Sequence, residues 1–170
     1  RSTPLYSSAA SDEYKRQIFF SVISGNCQAA ATDEVIVRNG MINVSGGKSW
    51  AVFPGWTGTV NWAVGDLNAD ASREIVAAPG AGGGPIIRVF DFNGRLLGQF
   101  NAYDPRFRGG VNLAVGDVNA DGRDEIVTGA GPGGGPHVRV FDQRCQVISQ
   151  WFAFSRLSLI HISEPTRLRR

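Results

Sequence analysis

The segment GDLNADASREIVAAPGAGGGPIIRVFD (Gly65 to Asp91) recurs without a gap as GDVNADGRDEIVTGAGPGGGPHVRVFD (Gly116 to Asp142), 51 residues downstream. Seventeen of the 27 positions are identical, and the identities include both acidic loops and both GGGP runs. Self-similarity at a fixed period of this size is the mark of a repeat architecture, in which each unit is one supersecondary element that needs its neighbours. The match extends outward. VNWAVGD (Val60 to Asp66) aligns with VNLAVGD (Val111 to Asp117), and Pro54, Trp56 and Gly58 align with Pro105, Phe107 and Gly109. Downstream, Trp151-Phe152-Ala153-Phe154 takes the place of Asn101-Ala102-Tyr103 and its neighbours. Ser155 and Arg156 then stand where Asp104 and Pro105 would be, and the pattern stops.

The unit reads as β structure. Twenty-two glycines and eight prolines against a single Met point to short strands joined by tight turns. Within one period the strands fall at Val60 to Gly65, Glu74 to Ala78, Ile86 to Phe92 and Arg95 to Tyr103, with Asn93-Gly94 as a hairpin turn between the last two. Four short strands in about 50 residues is the size of one propeller blade. The expected fold is therefore all-β, a partial β-propeller of four-stranded antiparallel blades. It divides into residues 1–57 as a degenerate or partial preceding blade, 58–108 and 109–156 as two blades of which the second is truncated, and 157–170 as a tail. In the first part, Val35 to Arg38 (VIVR) falls in register with Ile86 to Val89, and there is no acidic loop. Arg88 with Phe90, and Arg139 with Phe141, share a strand face by the period of two. Their repetition argues for Phe packing between blades and Arg bridging to a carboxylate at a blade edge.

Chemistry concentrates in two loops. In DLNADASRE (Asp66 to Glu74) and DVNADGRDE (Asp117 to Glu125), oxygen-bearing side chains stand at positions one, three, five and nine. Calcium takes six to eight oxygen ligands, and a loop that turns back on itself aims alternate side chains inward while a carbonyl near position seven completes the shell. The candidate donors are Asp66, Asn68, Asp70 and Glu74, with Asp117, Asn119, Asp121 and Glu125 in the second copy, and the carbonyls of Ser72 and Arg123 as additions. An EF-hand is a poor alternative, because its bidentate Glu at position twelve is here Ala77 or Thr128 and the residues after Glu74 and Glu125 are the strand pair Ile-Val. RTX-type nonapeptides need Asp within the glycine motif, which GAGGGP and GPGGGP lack. The plain alternative, a solvated acidic turn, does not account for duplication in register.

The loop, the hydrophobic pair after it and the glycine-rich stretch before HVRVF together resemble the FG-GAP or VCBS repeat of integrin-α-like propellers, over about residues 58 to 155. The resemblance implies that each repeat is a blade and that its DxDxDGxxD-type loop holds structural Ca2+. Gly122 matches the position that wants φ > 0. Ala71 departs from it, so the first site is expected to be weaker, since a β-carbon in a left-handed conformation costs about 1 kcal/mol. The resemblance further implies a secreted or cell-surface bacterial protein that serves as a binding or adhesion scaffold for a protein or carbohydrate ligand. The rival reading is the scaffold part of a propeller-fold, lyase-like carbohydrate-active enzyme, which a cluster of His, Tyr or Arg facing the central channel would favour.

Other features exclude more than they suggest. LSLIHISEPTR (Leu157 to Arg167) looks like the conceptual translation of a sequencing adapter, so Leu157 to Arg170 is expected to be non-native. The net charge of +2 then vanishes, because this tail carries three arginines and one glutamate and leaves fourteen charges of each sign. A neutral chain gives no ground for nucleic acid as a partner, and Ile18 to Ile23 is too short for a membrane span. Cys27 and Cys145 show no metal-ligand spacing; an oxidising compartment would allow them to pair, but Cys145 replaces Gly94 of the sister repeat, which points to an incidental residue. The glycine runs precede strands and so are not phosphate cradles. His137 is Ile86 in the sister repeat, a poor position for a catalytic base.

Overall fold

The computed structural model describes residues 35–153, which form eleven strands and no helix. The adapter-like tail and Cys27 lie outside the described residues. A three-stranded sheet is made by β1 (Val35–Arg38), β2 (Met41–Val44) and β3 (Ser49–Ala51). A four-stranded sheet follows, with β4 (Val60–Gly65), β5 (Glu74–Pro79), β6 (Ile86–Phe90) and β7 (Leu96–Asn101) in that order. A second one has β8 (Val111–Gly116), β9 (Glu125–Ala130), β10 (His137–Phe141) and β11 (Val147–Phe152). Every pairing is antiparallel between strands adjacent in sequence, so each sheet is a meander, and the fold is all-β with the sheets as propeller-type blades.

The middle sheet shows why a blade needs neighbours. β5 reads EIVAAP and is buried at all six positions, which a half-solvated strand could not be. Ile75 and Ala77 point toward the first sheet, in a core with Ile42, Val52, Phe53 and Phe90. Val76 and Ala78 point the other way, in a core with Val111, Leu113, Ile126 and Phe141 of the third sheet. The innermost strands meet at Asn61, whose Nδ2 donates to Val111 O at 2.8 Å. The outermost strands β7 and β11 are mostly exposed.

Backbone contacts also set the alignment of the first sheet. Val52 N donates to Gly40 O, as Ala102 N donates to Pro85 O and Ala153 N to Pro136 O. Gly40 thus takes the place of Pro85, and β2 is the counterpart of β6. Val35 to Arg38 accordingly fills the place of the second strand, Glu74–Pro79, and is not in register with Ile86 to Val89. The misalignment has a simple cause: a tight turn at Asn39 and Gly40, both at positive φ, replaces the whole glycine-rich loop and shortens the unit.

The Asn93-Gly94 turn is wider than a two-residue hairpin. Asp91 Oδ1 accepts the N–H groups of Asn93 (2.9 Å) and Arg95 (2.8 Å), and this cap ends β6 at Phe90 and delays β7 to Leu96. Asp142 repeats the cap with Arg144 and Gln146. Cys145 takes φ 61° where Gly94 takes 85°.

Backbones approach closely around the glycine runs, between successive blades at Gly110 and within the last four-stranded unit at Gly131. A β-carbon on Gly110 would stand 2.2 Å from Gly80 C and O, and one on Gly131 would stand 1.9 Å from Gly109 O. Gly110 N donates to Gly83 O at 3.1 Å, and Gly131 N to Gly110 O at 3.0 Å. Glycine is required at both positions for close backbone approach.

The two arginines do bridge blades, but to carbonyls and not to carboxylates. Arg88 Nη1 donates to Val52 O at 2.7 Å with its guanidinium 5.2 Å from the centre of the Phe53 ring. Arg139 Nη1 donates to Ala102 O at 2.8 Å and lies 5.4 Å from the Tyr103 ring. The preceding sheet offers a carbonyl at this point because Val52 and Ala102 spend only their N–H groups on their own sheet.

Candidate metal centre

Both acidic loops sit at the same end of their sheets, between first and second strands. Residue one organises each turn. Asp117 Oδ1 accepts the N–H groups of Ala120 (2.7 Å) and Asp121 (3.2 Å), and its Oδ2 accepts Gly122 N–H (2.9 Å). Asp66 does the same for Asp70 N–H (3.2 Å) and Ala71 N–H (2.9 Å). Positions three and five continue the pattern. Asn68 Oδ1 accepts Asp70 N–H and Asp70 Oδ1 accepts Ser72 N–H, as Asn119 Oδ1 accepts Asp121 N–H and Asp121 Oδ1 accepts Arg123 N–H. These are Asx turns, which compete well against strand pairing where Asp and Asn alternate.

Position nine is different because it begins a buried strand. Glu74 is 5% exposed and Glu125 3% exposed. Each is held by a backbone N–H, Leu67 to Glu74 Oε2 and Val118 to Glu125 Oε2, both at 2.9 Å. Burial and the neighbouring carboxylates raise both above the usual glutamate range, against the opposing effect of those N–H groups. The neighbours are Asp70, Asp66 and Asp124 for Glu74, and Asp121, Asp117 and Asp124 for Glu125. Asp70 and Asp117 shift the other way, held low chiefly by the N–H groups of Ser72 and Gly122.

The donor chemistry fits a hard cation. Each loop gathers three carboxylates and an amide, the glutamate is buried, and a divalent charge would relieve the repulsion that raises it. The asparagine marks where the carboxylates converge: Asn119 Nδ2 donates to Asp121 Oδ2 (3.0 Å) and Glu125 Oε1 (3.1 Å), and Asn68 Nδ2 to Asp70 Oδ2 (3.0 Å) and Glu74 Oε1 (3.4 Å). Among the described residues no three His, Cys, Asp or Glu side chains stand as a ready coordination sphere. An open cavity of about 610 Å³ adjoins the first loop, lined by oxygen-bearing groups including Asn68, Asp70, Ser72, Glu74 and Asp91.

Position six takes the left-handed conformation in both copies, φ 66° at Ala71 and 85° at Gly122. Position four does so too, with 58° at Ala69 and 61° at Ala120. Alanine carries no sequence signal for that conformation. Asp124 was also not legible as a site residue, and it lies against the first loop, its Oδ2 accepting Asp66 N–H at 2.8 Å.

His137 lies at the opposite end of its sheet, at the start of β10, among outer strands and away from the inner strands. Its Nε2 is 3.2 Å from Gln150 Oε1, its ring stacks on Phe152, and its carbonyl accepts the Tyr103 hydroxyl at 2.9 Å. Tyr103 is anchored to backbone, with its pKa pushed up to about 12 by burial. Burial and then Arg139 lower the pKa of His137 from 6.5, so the folded state disfavours its proton. Its contribution to stability is thus fully present above that value and lost as pH falls through the lowered one. Replacing His137 with Ile, the residue of the sister blade, is expected to reduce the loss of urea resistance between about pH 7.5 and about pH 5.5. An equal loss in both proteins would count against this account.

The fold and its loops define this segment as consecutive blades of propeller type. Residues 109–140 match the family model of the FG-GAP repeat, a stretch that includes the whole second loop. No curated protein and no solved structure matches the chain. Among the described residues no helix is long and apolar enough to cross a membrane.

Proposed function

We propose that Asp66 to Glu74 and Asp117 to Glu125 each bind a calcium ion, and that the chain is a calcium-stabilised propeller segment of a secreted or cell-surface bacterial protein acting as a binding or adhesion scaffold. One observation carries the reading. Two loops 51 residues apart keep the same oxygen donors at the same positions and bury a raised glutamate at the ninth. In each loop Asp, Asn and Asp side chains supply oxygens, Glu74 or Glu125 supplies a carboxylate from the strand, and the Ser72 or Arg123 carbonyl adds a neutral donor. Calcium supplies positive charge that offsets the gathered carboxylates, and the backbone N–H groups held by Asp66 and Asp117 keep the loop shaped for it. Three carboxylates and a neutral amide suit the millimolar calcium found outside cells. A protein or carbohydrate partner fits the scaffold role.

Calorimetric titration of the full chain with calcium tests the proposal, with two sites expected at millimolar or tighter affinity. No heat and no rise in melting temperature at several millimolar calcium would end it. The two loops should also differ. Ala71→Gly is expected to tighten the first site about fivefold by removing about 1 kcal/mol of left-handed strain. An unchanged affinity in that variant would show that the backbone at position six does not limit binding.

A further inference from the structure

The loops differ at position eight, which is Arg73 in the first and Asp124 in the second. Asp124 reaches across to the preceding blade and takes both backbone polar groups of Asp66: its Oδ2 accepts Asp66 N–H at 2.8 Å, and its own N–H donates to Asp66 O at 2.9 Å. The fit is close. A β-carbon on Gly65 would stand 2.5 Å from Asp124 Oδ2 and 2.3 Å from Val115 Cγ1, so a side chain at 65 would force the clamp apart. The charge of Asp124 bears on the ninth-position glutamate of both loops. Because position eight is not repeated, the blade fold as such does not require this carboxylate.

We propose that Asp124 couples the two loops, so that a cation bound at Asp117 to Glu125 strengthens binding at Asp66 to Glu74. The inference rests on the calcium reading above. Asp124 is flanked by Arg123 and Glu125, both donors of the second loop, so a cation there fixes the segment that holds Asp66. Asp66 is the residue that organises the first loop, and fixing its backbone removes part of the ordering cost of the first site. Linkage makes the effect reciprocal, since coupling between two binding equilibria is shared by both. The Asp124 carboxylate, reaching both loops, also offsets the repulsion between two bound cations.

The test is a double-mutant cycle on the full chain, read by calcium calorimetry. Asp121→Ala disables the second loop, and the affinity that remains belongs to the first. That affinity is expected to fall at least about fivefold from its value in the wild type. In an Asp124→Ala background the same Asp121→Ala change is expected to leave it unaltered. Asp124→Asn, which keeps an acceptor oxygen but drops the charge, guards against a folding defect and is expected to show reduced coupling with unchanged circular dichroism. Equal first-loop affinity with and without Asp121, or coupling undiminished in both Asp124 variants, overturns the proposal while leaving two calcium sites standing. A wild-type chain that binds no calcium removes the calcium reading and this inference together.

Discussion

Asn119→Asp is expected to make the second loop dependent on calcium, lowering stability without the ion and raising affinity for it. The asparagine amide donates to Asp121 and Glu125, and in the variant a third carboxylate meets those two. Losing two hydrogen bonds in favour of like charges costs about 1 to 3 kcal/mol without calcium. In calcium the sign reverses. A further carboxylate close to a divalent ion is expected to tighten binding by on the order of tenfold to a hundredfold. Chelator-treated protein should therefore melt below the wild type, and protein in millimolar calcium at or above it. Acidification should narrow the gap, because the raised Glu125 takes up its proton first and calcium must displace it. A variant that is equally stable with and without calcium would place the cation elsewhere or nowhere.

Arg88→Met is expected to cost about 2 to 4 kcal/mol, from a charge-assisted hydrogen bond to a carbonyl and a cation–π contact. Arg88 also uses its Nε, which donates to Gln99 at 3.2 Å. Arg139→Met is expected to cost less. In the second blade His137 occupies Gln150, the counterpart of Gln99, and Arg139 Nε is buried with no partner among the described residues. Removing that unsatisfied donor offsets part of the loss. Urea midpoints of the two variants measure the difference directly. A larger loss for Arg139→Met would mean that the unpartnered Nε carries no penalty.

The two arginine variants turn on contacts between blades, where residue identity alone names no partner. The arginines were recognisable as bridging residues from their repetition, yet their partners were not. Val52 and Ala102 offer carbonyls, and a backbone acceptor leaves no trace in residue identity. The same holds for Val35 to Arg38. Four β-branched and apolar positions align equally well with two strands of a blade, and only hydrogen bonding from Val52 to Gly40 fixes which one they form.

What the sequence determined by itself was local. The four strands of each blade, the alternating Asp and Asn residues of each loop and the positive φ at Gly122, which the 51-residue repeat carries over to Ala71, follow from turn chemistry, side-chain periodicity and internal alignment. Tertiary structure decided the rest. Arg88 meets Val52 across 36 residues, Arg139 meets Ala102 across 37, and Asp66 meets Asp124 across 58. At such separations the partner is set by how one twisted sheet stacks on the next, which burial on both faces of β5 enforces and which no local preference of Arg or Asp encodes.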